Sequence, residues 1–281
     1  MRLTLFTAAL VLLAGCNGEE AIAPSQDESI EFDTTKITYA SSFDKAQDIA
    51  EYTIYKDSLK SFYCSCDIVF DDTQDYDGDG NKTESMIMPQ SCGYTPRKAT
   101  TSSGKPNARA SRVEWEHVVP ASLMAGHLPE WKDKNTYSEC KKSNGKYLSG
   151  RDCAYKLVPW FKNAHNDLHN LVPAVGELNG DRSNRKYGIV SQEPRAYGAC
   201  DFEVDFSTDL AEPADSIKGN VARIYKYMHA MYKFPITNDE VKLFSEWDKL
   251  DPVDAEECAR DARIKAVQGN SNPFVSTACS N

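Results

Sequence analysis

Arg112-Val113-Glu114-Trp115-Glu116-His117-Val118-Val119-Pro120-Ala121 and, downstream, Asn166-Asp167-Leu168-His169-Asn170-Leu171-Val172-Pro173, running into Gly176-Glu177-Leu178-Asn179-Gly180-Asp181-Arg182-Ser183-Asn184, hold the densest set of reactive side chains in the chain. Neighbouring residues of a regular strand point to opposite faces. Glu116 and His117 therefore share a site only where the backbone is irregular or passes from strand to helix. The predicted order is a strand with His117 at its edge, an intervening loop, and a helix that presents Asn179.

These residue types suit phosphodiester hydrolysis, which needs a deprotonated water, a cation beside the phosphate and a stabilised leaving oxygen. His117, with an intrinsic pKa near neutrality, is the candidate general base. Glu116 and Asn179 offer hard oxygen donors of the kind Mg²⁺ takes, with Mn²⁺ as a substitute. A Glu-His dipeptide alone is weak evidence, since a surface pair or a satisfied buried His gives the same letters. His165 and His169 form H-x-x-x-H, which on a helix aligns two zinc ligands. No third ligand accompanies them, and His169 reads better as a hydrogen-bonding brace. Asp181, Arg182 and Asn184 read as caps or bridges within the Asn179 helix. Trp115, Trp131, Trp160 and Trp247 are candidates for stacking on bases, with core packing as the commoner fate of tryptophan.

Outward from these blocks, apolar residues recur at helical spacing. Phe43, Ala46, Ile49, Ala50 and Ile54 form a stripe preceded by Ser41 or Ser42 as a cap. Ile217, Val221, Ile224, Tyr225, Met228 and Tyr232 form a core-facing stripe within Ser216–Lys233. Glu240–Leu250 and Asp254–Val267 read as two further helices, with Asn270 and Pro273 marking an irregular finish.

The first sixteen residues, MRLTLFTAALVLLAGC, combine Arg2, an apolar run and Leu13-Ala14-Gly15-Cys16. This is a signal peptide pattern, too short for an ordinary membrane span. The final four letters resemble a bacterial lipobox, in which Cys16 carries the acyl chains of a membrane anchor. Residues 17–40 are acidic, contain Pro24 and lack sustained apolar periodicity, so they read as a disordered tether. Residues 41–281 then form one domain. Of nine cysteines, those other than Cys16 are Cys64, Cys66, Cys92, Cys140, Cys153, Cys200, Cys258 and Cys279. An even set in an exported chain reads as four disulfides, and Cys140 with Cys153 closes a short local loop.

Two stretches carry strong local charge. Asp75, Asp77 and Asp79 before Gly80 match the opening of a calcium loop, but the twelfth position is Met86 where a bidentate Glu belongs. A structural Ca²⁺ site and a solvated acidic turn stand as equal readings. Arg97, Lys98, Lys105, Arg109 and Arg112 fall in a segment without an acidic residue, inside a chain of formal net charge −10. Affinity for a polyanion must come from such a local positive surface.

The two blocks, together with FYCSCDI at 62–68, CGYTPRK at 92–98, ARASRVEWEHVVPA at 108–121 and the closing ECARDARI and QGNSNPF segments, resemble the bacterial endonuclease I family of periplasmic and secreted nucleases. The likeness covers nearly all of residues 43–279. It implies an α+β fold of mixed helices and short antiparallel strands around a ββα-metal finger. It further implies that His117 activates water, that Glu116 and Asn179 bind one Mg²⁺, and that Arg151 contacts the scissile phosphate from the long loop between strands. The stretch Ser122–Lys162 departs from the family in length and composition. A family position that often carries Glu, shortly before Asp-Leu-His-Asn, holds His165 here. The implied activity is metal-dependent, largely sequence-independent endonuclease cleavage of DNA and RNA that leaves 5′-phosphates, in an exported, periplasmic or cell-surface monomer. A nucleic-acid-binding or uptake protein without turnover is the competing class, and intact Glu116, His117 and Asn179 argue against it. A calcium-dependent module built on Asp75, Asp77 and Asp79 would leave both blocks unexplained.

Overall fold

The computed structural model describes residues 30–71, 73, 85–192 and 194–279. The signal peptide, Cys16, most of the acidic tether and Asp75, Asp77 and Asp79 lie outside the described residues. A compact unit begins at Asp33, eight residues before the expected boundary at Ser41. The reason is backbone and side-chain bonding: Thr38 N–H donates to the Gln268 carbonyl at 2.7 Å, and Tyr232 Oη lies 2.9 Å from Tyr39 Oη.

Ser42 Oγ accepts from Lys45 N–H at 3.2 Å and starts α1, Phe43–Ile49, as the sequence predicts. The helix widens into a π-helical turn over Ala50–Ile54, closed by Tyr55 N–H on the Ala50 carbonyl at 2.9 Å. Its stripe of Ala46, Ala50 and Ile54 packs against Leu168, Leu171 and Ile264. Two short strands follow, β1 (Asp67–Val69) and β2 (Met86–Met88), paired antiparallel. Met86, the twelfth position of the calcium-loop pattern, is thus a strand residue opposite Val69.

β3 is Val113–His117, so the reactive block does begin as a strand with His117 at its end. The stretch read as a long inter-strand loop is instead largely helical: α2 (Ala121–Ala125), α3 (Pro129–Lys132), α4 (Gly150–Leu157) and α5 (Pro159–His165). Pro129 and Pro159 sit in the first turn, where a missing N–H costs nothing, and Ser149 caps α4. The chain returns through a 3-10 turn as β4 (Leu171–Val175), antiparallel to β3 with His117 opposite Leu171 and Glu116 opposite Val172. α6 (Gly176–Arg182) leaves β4 directly and carries Asn179. Strand, strand and helix therefore follow in the predicted order.

A third sheet contains β5 (Lys186–Tyr187), β6 (Phe202–Asp205) and β7 (Leu210–Pro213) in the order β5-β7-β6; β5 runs parallel to β7, a departure from the antiparallel expectation. The C-terminal part is helical: α7 (Asp215–Tyr232), α8 (Asn238–Leu250), α9 (Ala255–Gln268) and α10 (Pro273–Cys279). Val221, Ile224, Tyr225 and Met228 of the predicted stripe are buried. Gly269 ends α9 at φ +96°, and a Cβ there would fall 2.2 Å from the Lys36 carbonyl oxygen, so both conformation and space call for glycine.

All eight body cysteines pair. Cys140–Cys153 is the expected local bridge; the others are Cys64–Cys200, Cys66–Cys92 and Cys258–Cys279, with Cα separations of 4.7–5.6 Å across the four. The architecture is α+β.

Candidate active site

β3 ends in a cleft of about 1160 Å³ whose lining includes Glu114, Glu116, His117, Arg151 and Asn179. His117 Nε2 lies 2.8 Å from the His165 carbonyl oxygen. A carbonyl only accepts, so Nε2 carries the proton and the lone pair sits on Nδ1. Phe43 stacks on the imidazole at a centroid distance of 5.1 Å. Burial, with the nearby Arg151 guanidinium adding to it, holds His117 well below the usual histidine range, in its neutral form.

Arg151 stands on the first turn of α4. Its Nε and Nη2 donate to His165 Nε2 at 2.9 and 2.6 Å, and Nη2 lies 3.4 Å from His117 Nδ1. His165 is buried, and burial together with Arg151 pushes its pKa down to about 3.

Glu116 is held from below. Arg182 Nη1 at 2.9 Å and Tyr63 Oη at 3.1 Å both donate to Oε1. Arg182 is wholly buried; Nη1 and Nη2 also donate to the His117 and Val118 carbonyls at 2.9 and 2.6 Å, and its guanidinium lies over the Tyr187 ring at 4.5 Å. Burial raises the Glu116 carboxyl to about 7 against the pull of Arg182. Asn179 Nδ2 donates to Glu114 Oε2 at 2.9 Å. Glu114 is itself clamped by Arg109 at 2.8 and 2.6 Å and by Arg112 at 3.1 and 2.9 Å. A Cβ on Gly180, beside Asn179, would lie 2.4 Å from Arg109 Nη1, so a side chain there would have to displace the guanidinium.

The donor set fits a divalent cation. Among the described residues, protein donors act on Oε1 of Glu116 and not on Oε2, and the Asn179 amide is turned so that Nδ2 is occupied and Oδ1 is not. Two hard oxygens in an open cleft suit Mg²⁺, which keeps several waters. Among the described residues no group of three or more His, Cys, Asp and Glu could hold a metal. The H-x-x-x-H pair does not lie on one helix: His165 ends α5 and faces Arg151, whereas His169 lies in the following 3-10 turn, 3.1 Å from the Asn270 carbonyl.

The basic stretch is less free than its letters imply. Arg97 is bidentate to Asp181 at 2.9 and 2.6 Å, and Arg109 and Arg112 hold Glu114. Lys98 and Lys105 are exposed. The facing wall, α1 and its π turn, lines the cleft with Asp44, Asp48 and Glu51. A polyanion therefore meets opposite signs on the two sides. Trp115 and Trp131 line the cleft, and Trp247 is buried.

Sequence reasoning missed Glu114, Arg182 and the His165 side chain. Glu114 was findable, because residues two apart on a strand share a face and Glu114 and Glu116 flank Trp115. Arg182 read as a helix bridge because its partner lies 66 positions away.

The endonuclease I family model matches residues 34–279. The chain is 36% identical over 231 residues to an endonuclease-1 of Buchnera aphidicola subsp. Acyrthosiphon pisum, covering 82% of this chain and 79% of that one. It is 35% identical to a periplasmic deoxyribonuclease of Aeromonas hydrophila, covering 80% and 82%. A shorter likeness, 32% identity over 39% of this chain and 43% of the relative, reaches an extracellular ribonuclease of Bacillus amyloliquefaciens. By the length and the strength of these matches, the chain belongs to the endonuclease I family.

Proposed function

We propose that the cleft hydrolyses internal phosphodiester bonds of DNA and RNA with little sequence preference, with His117 as general base. The observation that carries this is the His117 ring held at Nε2 by the His165 carbonyl, which leaves Nδ1 as the only proton acceptor, in the same cleft as Glu116, Asn179 and Arg151. Nδ1 takes a proton from water as the oxygen attacks phosphorus. The bond from phosphorus to the 3′ oxygen breaks, that oxygen takes a proton from solvent water, and the product keeps a 5′-phosphate. Arg151 donates to a non-bridging phosphate oxygen and offsets the charge that grows there. Glu116 through Oε2 and Asn179 through Oδ1 would hold one Mg²⁺, or Mn²⁺ in its place, and that ion would supply charge neutralisation at the phosphate and leaving oxygen.

Contacts to phosphate rather than bases account for weak sequence preference and for action on both polymers. The deoxyribonuclease and ribonuclease relatives support the two substrates. The leader pattern, the periplasmic relative and four disulfides support export; the Leu13-Ala14-Gly15-Cys16 pattern alone suggests a lipid anchor at Cys16, and a monomer is the form proposed. Plasmid and RNA cleavage by the oxidised protein in Mg²⁺ or EDTA tests the reading. His117→Ala is expected to abolish cleavage and leave binding intact; Mg²⁺-dependent cleavage surviving in that variant would remove His117 from the mechanism.

A further inference from the structure

His165 touches both reactive groups by two different parts of itself. Its carbonyl oxygen receives His117 Nε2 at 2.8 Å, and its ring nitrogen Nε2 receives Arg151 Nε and Nη2 at 2.9 and 2.6 Å. Guanidinium nitrogens only donate, so Nε2 of His165 must present a lone pair and the ring proton must sit on Nδ1. Among the described residues, that buried Nδ1 has no hydrogen-bond partner. An unpartnered buried N–H is costly, and nothing in the base's own hold on the carbonyl requires it. The ring is packed edge-on by Phe43, Tyr155 and Phe161 at centroid distances of 4.8, 5.0 and 5.7 Å, which leaves it little freedom to turn its proton elsewhere.

The chemistry of this acceptor differs from the usual partner of a buried arginine. A carboxylate would hold Arg151 more tightly and cancel its charge. A neutral imidazole orients the fork and leaves the unit charge available to an incoming phosphate. Arg182 and Arg223, which are fully buried where Arg151 is only partly so, both face carboxylates, Glu116 and Glu257.

We propose that His165 is a positioning residue whose neutral side chain aims Arg151 at the scissile phosphate without quenching its charge, while its carbonyl aligns His117. This rests on the placement of Arg151 at the phosphate given above, and the test separates the two. The Arg151 side-chain N–H resonance, assigned by its disappearance in Arg151→Ala, reports the contact independently of activity. His165→Ala is expected to shift that resonance and to lower kcat/KM by about tenfold to a hundredfold, the scale of one charge-assisted hydrogen bond. His165→Gln, which keeps a neutral acceptor, is expected to restore most of both. In an Arg151→Ala background, His165→Ala is expected to cost nothing further.

An unmoved Arg151 resonance in a folded His165→Ala protein would overturn the proposal. So would additive losses in the double variant, since His165 would then act by another route. If Arg151→Ala alone leaves kcat/KM unchanged, the placement of Arg151 at the phosphate fails; a resonance that still moves in His165→Ala then keeps the contact and discards its catalytic purpose. His165→Gln guards against misfolding, and a melting temperature accompanies each variant.

Discussion

Arg182 lies beneath Glu116, its Nη1 2.9 Å from Glu116 Oε1, and the side chains are 0% and 4% exposed. The same guanidinium bonds the His117 and Val118 carbonyls, so one cation holds the candidate metal-binding carboxylate and the end of the strand that bears the base. Removing one partner of such a pair strands a buried charge. Arg182→Met is expected to destabilise the fold by about 3–5 kcal/mol in urea unfolding. A loss below about 1 kcal/mol would show that Glu116 does not depend on it.

Glu114 orients the Asn179 amide and also binds Arg109 and Arg112. Glu114→Gln nearly keeps its shape and loses the charge. Calorimetry is expected to show Mg²⁺ binding weakened by about tenfold to a hundredfold, as for other residues that orient metal ligands. The freed arginines should at the same time tighten binding to catalytically inert oligonucleotides at low salt. Unchanged affinity for both ions would mean that Asn179 is set by α6 alone.

Burial raises the Glu116 carboxyl to about 7. A raised acid pKa means that the proton is still bound in mildly acidic solution, and a cation needs the ionised form. Mg²⁺ affinity should therefore climb between about pH 6 and pH 8, with protons released on binding. A flat profile across that window would place the carboxylate's ionisation well below neutrality.

The bridges span very different lengths: 136 positions for Cys64–Cys200 and 13 for Cys140–Cys153. Chain-entropy reasoning assigns about 3 kcal/mol to the short loop and about 5 kcal/mol to the long one. Paired Cys→Ser variants compared by thermal melting should rank in that order, and complete reduction should unfold the protein and end cleavage. Full activity after verified reduction would contradict this account.

Periodicity and spacing are local properties, and what depended on them was legible before any coordinates. The Phe43–Ile54 stripe, the α7 stripe with Val221 and Met228, and the strand-to-helix order that brings Glu116, His117 and Asn179 to one cleft all followed from the letters. So did the even cysteine count and the short Cys140–Cys153 bridge. The four helices between β3 and β4 were misread as loop, because each is short and its signals, Pro129, Ser149 and Pro159, are weak individually.

Residue types and their spacing named the candidate side chains and the elements that carry them. Tertiary structure alone decided their partners: Arg182 beneath Glu116, Glu114 beside Asn179 and the His165 ring behind Arg151. Each of those contacts is a distance between residues set by how strands and helices pack, and a 2.9 Å separation across 66 positions leaves no trace in composition or period. For the same reason the arginines at 97, 109 and 112 looked like free positive surface until the fold brought Asp181 and Glu114 against them.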